Sequence, residues 1–152
     1  MAQRPGGGAP GDERPSKQRL ATRLEAVRAR TLDLLEPLSD EQLTHQPGPE
    51  MGVVLWDVGH IGAFEEVWLV NNLSQGERSL SALGERFDPI AHPRAARGEM
   101  ALPSRQEMLN YLRDVRKRSL DLLDQVDLAS DDPLVRHGFV HDMIIRHEQQ
   151  HQ

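Results

Sequence analysis

From Ser16 onward the apolar positions recur every three or four residues. Leu20, Leu24, Val27, Thr31 and Leu34/Leu35 fall on one stripe, which predicts an amphipathic helix that ends at Pro37. Ser39 and Gln42 stand at capping-box spacing, predicting a short helical turn before Pro47, Gly48 and Pro49 break the chain. A second long helix is predicted over 53–72, with Val53, Trp56, Phe64 and Val67 on its apolar stripe. His60 lies on that stripe too, four residues from both Trp56 and Phe64, so it faces inward. Residues 73–103 hold Gly, Pro and scattered charge without a sustained period, predicting a long loop that is either functional or disordered. Ser104 and Glu107 form another capping box, opening a helix through Met108, Leu109, Leu112, Val115, Leu120 and Leu123. Asp132 and Pro133 then supply an N-cap and a first-turn proline for a fourth helix, still running at Gln152.

Four amphipathic helices without a strand pattern predict an all-α, up-down four-helix bundle over 16–152. Residues 1–15 are rich in Gly and Pro and offer almost nothing to bury, so they are expected to be a disordered tail. The fourth helix reaches Gln152 without a C-cap residue, and the chain therefore reads as part of a longer polypeptide, its bundle incomplete at the C-terminus.

A length of 152 residues suits one domain around one core. The absence of cysteine excludes disulfides, thiolate nucleophiles and cysteine-type zinc sites. A net charge of −6, with basic residues dispersed among acidic ones, opposes phosphate attraction and excludes a nucleic-acid role. No apolar run reaches membrane-span length and no signal-peptide core opens the chain, so it is expected to be soluble and cytoplasmic, with no membrane partner.

The chemistry concentrates in the last helix. In RHEQQH, His147 and His151 are four residues apart, so both rings leave one helix face and can chelate one cation. Val140, Met143 and Ile144 share the stripe and direct the pair at the interior, where an unpartnered imidazole is costly to desolvate. A third ligand is required, and the other histidine on the apolar stripe of a long helix is His60; the candidate metal site is thus His60, His147 and His151. His137 and His141 are also four apart but lie roughly 80° further round the helix, and His45 and His92 read as loop residues. The same segment satisfies the H-E-x-x-H pattern of zinc proteases, in which Glu148 is the general base; the competing reading of Glu148 is a helix-surface acid. Three neutral imidazoles suit iron, zinc, copper and nickel alike, so the ligand set leaves the metal open.

LWDVGHIGAFEEVWL, HPRAARGEMALP and FVHDMIIRHEQQH together resemble the N-terminal DinB-like domain of the ergothioneine-biosynthesis sulfoxide synthases, over about 28–152. The resemblance implies a mononuclear non-haem iron(II) enzyme. Such an enzyme uses oxygen to join a thiol, gamma-glutamylcysteine or cysteine, to the imidazole of trimethylhistidine (hercynine), forming a carbon–sulfur bond and a sulfoxide. By position His60, His147 and His151 match that family's iron ligands, Gln150 the contact to the substrate imidazole, and Arg94 and Arg97 the arginines that hold the thiol's carboxylates. The family also carries a C-terminal formylglycine-generating-enzyme-like catalytic domain, which this sequence lacks, and which supplies much of the substrate pocket. Two other readings remain open: a DinB-like zinc- or nickel-dependent thiol transferase or hydrolase, and a metal-free helical interaction domain whose histidines are structural.

Overall fold

In a computed structural model, which describes residues 16–74 and 81–152, the chain is an all-α bundle with no strand among the described residues. The tail expected over 1–15 lies outside them. The four long helices are α1 (Lys17–Leu35), α3 (Val54–Glu65), α4 (Arg105–Gln125) and α5 (Phe139–Gln150), with a short α2 (Asp40–Thr44) between the first two. Packing runs in a ring, α1 on α4 and α5, and α3 on α4 and α5.

Local chemistry sets the boundaries. The Ser16 hydroxyl accepts from the Arg19 amide and caps α1. Ser39 with Gln42, and Ser104 with Glu107, form both halves of the capping boxes that open α2 and α4. The second predicted helix differs from expectation in one respect: α3 passes after Glu65 into a π-helical stretch, Glu66–Asn71. This wider turn swings Val67 and Trp68 toward solvent while Leu69 and Val70 stay buried, so Val67 is not on the core stripe. The fourth helix also departs from expectation, since α5 begins at Phe139 rather than at Asp132–Pro133. His137 and Gly138 adopt left-handed φ values of 57° and 74°, which interrupt helical geometry before α5 can start. The 73–103 segment, unpatterned in sequence, carries two 3₁₀ turns in its described part, Gly84–Phe87 and Arg94–Glu99. They bury Phe87 and Arg97.

The apolar core falls into two clusters. One gathers Val53, Leu55, Trp56, Phe87, Met108 and Leu112 with their neighbours, the other Leu20, Leu24, Leu69, Leu123, Val140 and Ile144. Along the helices a charged layer stands at the junction. Arg28 donates to Glu148 Oε1 at 2.8 Å and to Glu65 Oε2 at 2.9 Å. Arg116 donates to Glu65 Oε1 at 2.7 Å and to Glu148 Oε2 at 3.0 Å. Both carboxylates are completely buried. Burial alone would raise the pKa of Glu65, but Arg116 and Arg28 outweigh it and hold the carboxyl below its ordinary value. This corrects the sequence reading of Glu148, which is neither a surface acid nor a free base.

His141 is also buried, and both its ring nitrogens lack a hydrogen-bond partner among the described residues. Desolvation pushes its pKa down to about 4, against a weaker opposing pull from Glu65. A depressed folded-state pKa means that stability present above the unfolded value is lost as pH falls through the folded one. Unfolding free energy is therefore expected to fall between about pH 6.5 and pH 4, by up to about 3 kcal/mol from this residue. Urea titrations across that range should show a flatter profile in His141→Leu; an unchanged profile would refute the assignment.

Gly59 makes a second expectation. A Cβ there would stand 2.4 Å from the Phe87 ring, which is fully buried and has nowhere to retreat. Gly59→Ala should lower stability by about 1–3 kcal/mol, read as an earlier urea midpoint.

Candidate metal centre

His60 leaves the middle of α3, His147 the last turn of α5, and His151 the residue that ends α5. The structure brings these three together. One ligand atom from each lies within 4.8 Å of the others. The Nε2 atoms of His60 and His147 face each other at 3.3 Å, and the ring centroids are 4.8–5.3 Å apart across the trio. His60 and His147 are half-buried while His151 stands at the exposed rim.

The rings are held by their neighbours. His60 Nδ1 lies 3.1 Å from the Phe87 carbonyl, which fixes the proton on Nδ1 and leaves Nε2 as a lone pair. Trp56 stacks on His60 at 5.5 Å, four residues back on α3, and Phe64 stacks on His147 at 3.7 Å across the helix pair. Desolvation lowers the pKa of all three imidazoles; for His147, reinforced by the charges of His151 and His60, the value falls to about 3. Three neutral rings, with one nitrogen of each within 4.8 Å of the others, are a donor set suited to a late first-row divalent ion.

The other sequence candidates divide between two sides of the trio. Gln150 is exposed and shares with His147, Phe64, Met143 and Arg146 the lining of a groove of roughly 840 Å³. Arg94 and Arg97 stand near His151, whose pKa their charges help to depress after desolvation. They are not equivalent. Arg97 is buried with its guanidinium 3.4 Å above the Trp56 ring, donates Nε to the His92 carbonyl at 3.1 Å, and pairs with Asp57 at 3.6 Å. Arg94 is exposed. His45 and His92 lie outside helices, as expected, and His137 is exposed on its left-handed turn. His141, about 120° round α5 from His147 and about 80° from His151, points into the core.

Sequence reasoning missed Trp56 and Phe64 as ring supports, Asp57 as the partner of Arg97, and the arginine–glutamate layer. The layer had a signal: Arg28, Glu65, Arg116 and Glu148 each occupy a position on the apolar stripe of a long helix.

Comparison with known proteins agrees with this architecture. The family model described as the DinB superfamily matches residues 23–152. Hercynine oxygenase of Mycobacterium tuberculosis is 36% identical over 138 residues, covering 90% of this chain and 31% of the relative. Hercynine oxygenases of Mycolicibacterium smegmatis and Mycolicibacterium thermoresistibile are 35% and 33% identical, again over 90% of this chain and 31% and 30% of their own lengths. The chain thus spans about a third of the length of the curated relatives it matches. On a match running from residue 23 to residue 152 of a helical bundle, the chain belongs to the DinB superfamily.

Proposed function

We propose that this chain is the metal-binding domain of an iron(II)- and oxygen-dependent sulfoxide synthase acting on hercynine and a thiol, gamma-glutamylcysteine or cysteine. The observation that carries the reading is the convergence of His60, His147 and His151, three neutral imidazoles within 4.8 Å, in a bundle similar to hercynine oxygenases. His60, His147 and His151 would hold the ion and leave room beside it for substrates. Bound iron would supply oxygen activation. In the overall reaction the imidazole C–H and the thiol S–H are lost, a C–S bond forms, one oxygen atom ends on sulfur and the other leaves as water.

The chain's own residues contribute binding and orientation. To Gln150, exposed and lining the same groove as His147, we assign the hydrogen bond to the substrate imidazole. Arg94 presents an unburied guanidinium for bidentate capture of a carboxylate of the thiol substrate. Arg97 serves the same end less directly: locked on Trp56 and Asp57, it adds positive potential beside the site. The rest of the pocket we assign to a catalytic domain in the part of the relatives that this chain does not match.

Anaerobic loading should give one iron(II) per chain in the parent and near-zero occupancy in His60→Ala, by metal analysis after desalting. A parent chain that takes no iron, or that takes zinc or nickel and turns over without oxygen, overturns the reading. In the complete enzyme, Arg94→Ala should raise KM for gamma-glutamylcysteine about 10- to 100-fold, the loss of one charge-assisted pair, while leaving iron content intact.

A further inference from the structure

We infer that Glu148 is a positioning residue for the metal site: its buried carboxylate, gripped from α1 and α4, fixes the rotation of α5 about its own axis and so aims His147 and His151 at His60. The inference rests on the metal-site reading above.

Glu148 sits between the two α5 histidines, about 100° from His147 and about 60° from His151 around the helix. That places it in the arc buried by Ile144, His141 and Ile145, at the centre of the core face. Three side chains from two other helices hold its oxygens. Arg28 and Thr31 of α1 donate to Oε1 at 2.8 and 2.7 Å, and Arg116 of α4 donates to Oε2 at 3.0 Å. Gln152, one residue past His151, adds a tether by donating to Thr31 Oγ1 at 3.0 Å and to the Val27 carbonyl at 2.9 Å. Thr31 and His151 line the same small cavity of about 230 Å³, so the network borders the metal site directly.

The same two arginines hold Glu65, which follows Phe64, the ring stacked on His147. One charged layer thus relates α3, which carries His60, to α5, which carries the other two ligands. Geometry makes this relation consequential. A ring nitrogen about 6 Å from the helix axis moves about 1 Å for a rotation of about 10°, several times the roughly 0.2 Å that a coordination bond tolerates. Apolar packing, being non-directional, resists such a rotation weakly. Hydrogen bonds to both oxygens of a carboxylate resist it strongly.

The test uses Co(II) alone as the probe, since its visible absorption reports ligand geometry. Dissociation constants and spectra are measured for the parent, Glu148→Gln, Thr31→Val and Leu123→Ala, at a temperature where circular dichroism shows each metal-free protein folded. Leu123 is fully buried but lies two turns beyond Arg116, so Leu123→Ala supplies a destabilised protein with the layer intact. Glu148→Gln should bind Co(II) about 10- to 100-fold more weakly with an altered spectrum, and Thr31→Val about threefold more weakly. Leu123→Ala should melt earlier yet keep the parent's affinity and spectrum. Glu148→Gln with affinity within twofold of the parent and the parent's spectrum, however low its melting temperature, overturns the inference. Should Glu148→Gln fail to fold, the charge-balanced pair Arg28→Met with Glu148→Gln takes its place under the same criterion, because a buried ion pair removed together is often tolerated. A parent that binds no Co(II) sinks the metal-site reading itself, an outcome distinct from failure of the positioning role.

Discussion

Two arginines and two glutamates, shut away from water where the four long helices meet, are the constraint on which the arrangement depends. Isolated, any one of them would cost several kcal/mol to desolvate. Together they balance in sign, and each carboxylate accepts from both guanidiniums. Removing one partner would strand a buried charge, at about 3–5 kcal/mol, so the layer admits one register of α1, α3, α4 and α5 and penalises its neighbours. The apolar clusters on either side supply the bulk of the driving force but not that discrimination, since leucine and valine side chains repack across small shifts.

The histidine trio is the feature that most needs such a scaffold. Three imidazoles crowded within 5.3 Å of one another between ring centroids are partly desolvated, and protonating any two of them would set like charges side by side. The fold accepts this arrangement because other groups hold the rings: the Phe87 carbonyl on His60, and the stacked faces of Trp56 and Phe64. Gly59, one residue before His60, belongs to the same design, for only a residue without a side chain lets the Phe87 ring press against α3 and bring its carbonyl to Nδ1.

Much of this was legible from periodicity. The four long helices, both capping boxes and the inward-facing stripes that carry His60, His147 and His151 follow from three- and four-residue spacing, because local hydrogen bonding and one apolar stripe are enough to specify them. What escaped was non-local or non-periodic. The left-handed turn at His137 and Gly138 that precedes α5 has no periodic signal, and Gly138 there leaves room for Leu20, more than a hundred residues earlier. The burial of Arg97 depends on the Trp56 ring waiting beneath it, forty-one residues earlier in the chain. The charged layer has no periodic signature of its own: Arg28, Glu65, Arg116 and Glu148 interrupt four separate stripes with two charges of each sign, and their pairing is a matter of contacts between helices.

The fate of Glu148 separates this site from the zinc hydrolases that share its H-E-x-x-H spacing. A general base must reach the proton it takes and must have a lone pair to spare. Here both carboxylate oxygens are occupied by Arg28, Thr31 and Arg116, and the side chain is buried in the core face of α5 rather than turned toward the open side of the trio. Freeing it would unpair two guanidiniums. The spacing is therefore the same while the chemistry it permits is not: in this bundle the acid between the two histidines is held by two arginines and a threonine and is not free to act as a general base.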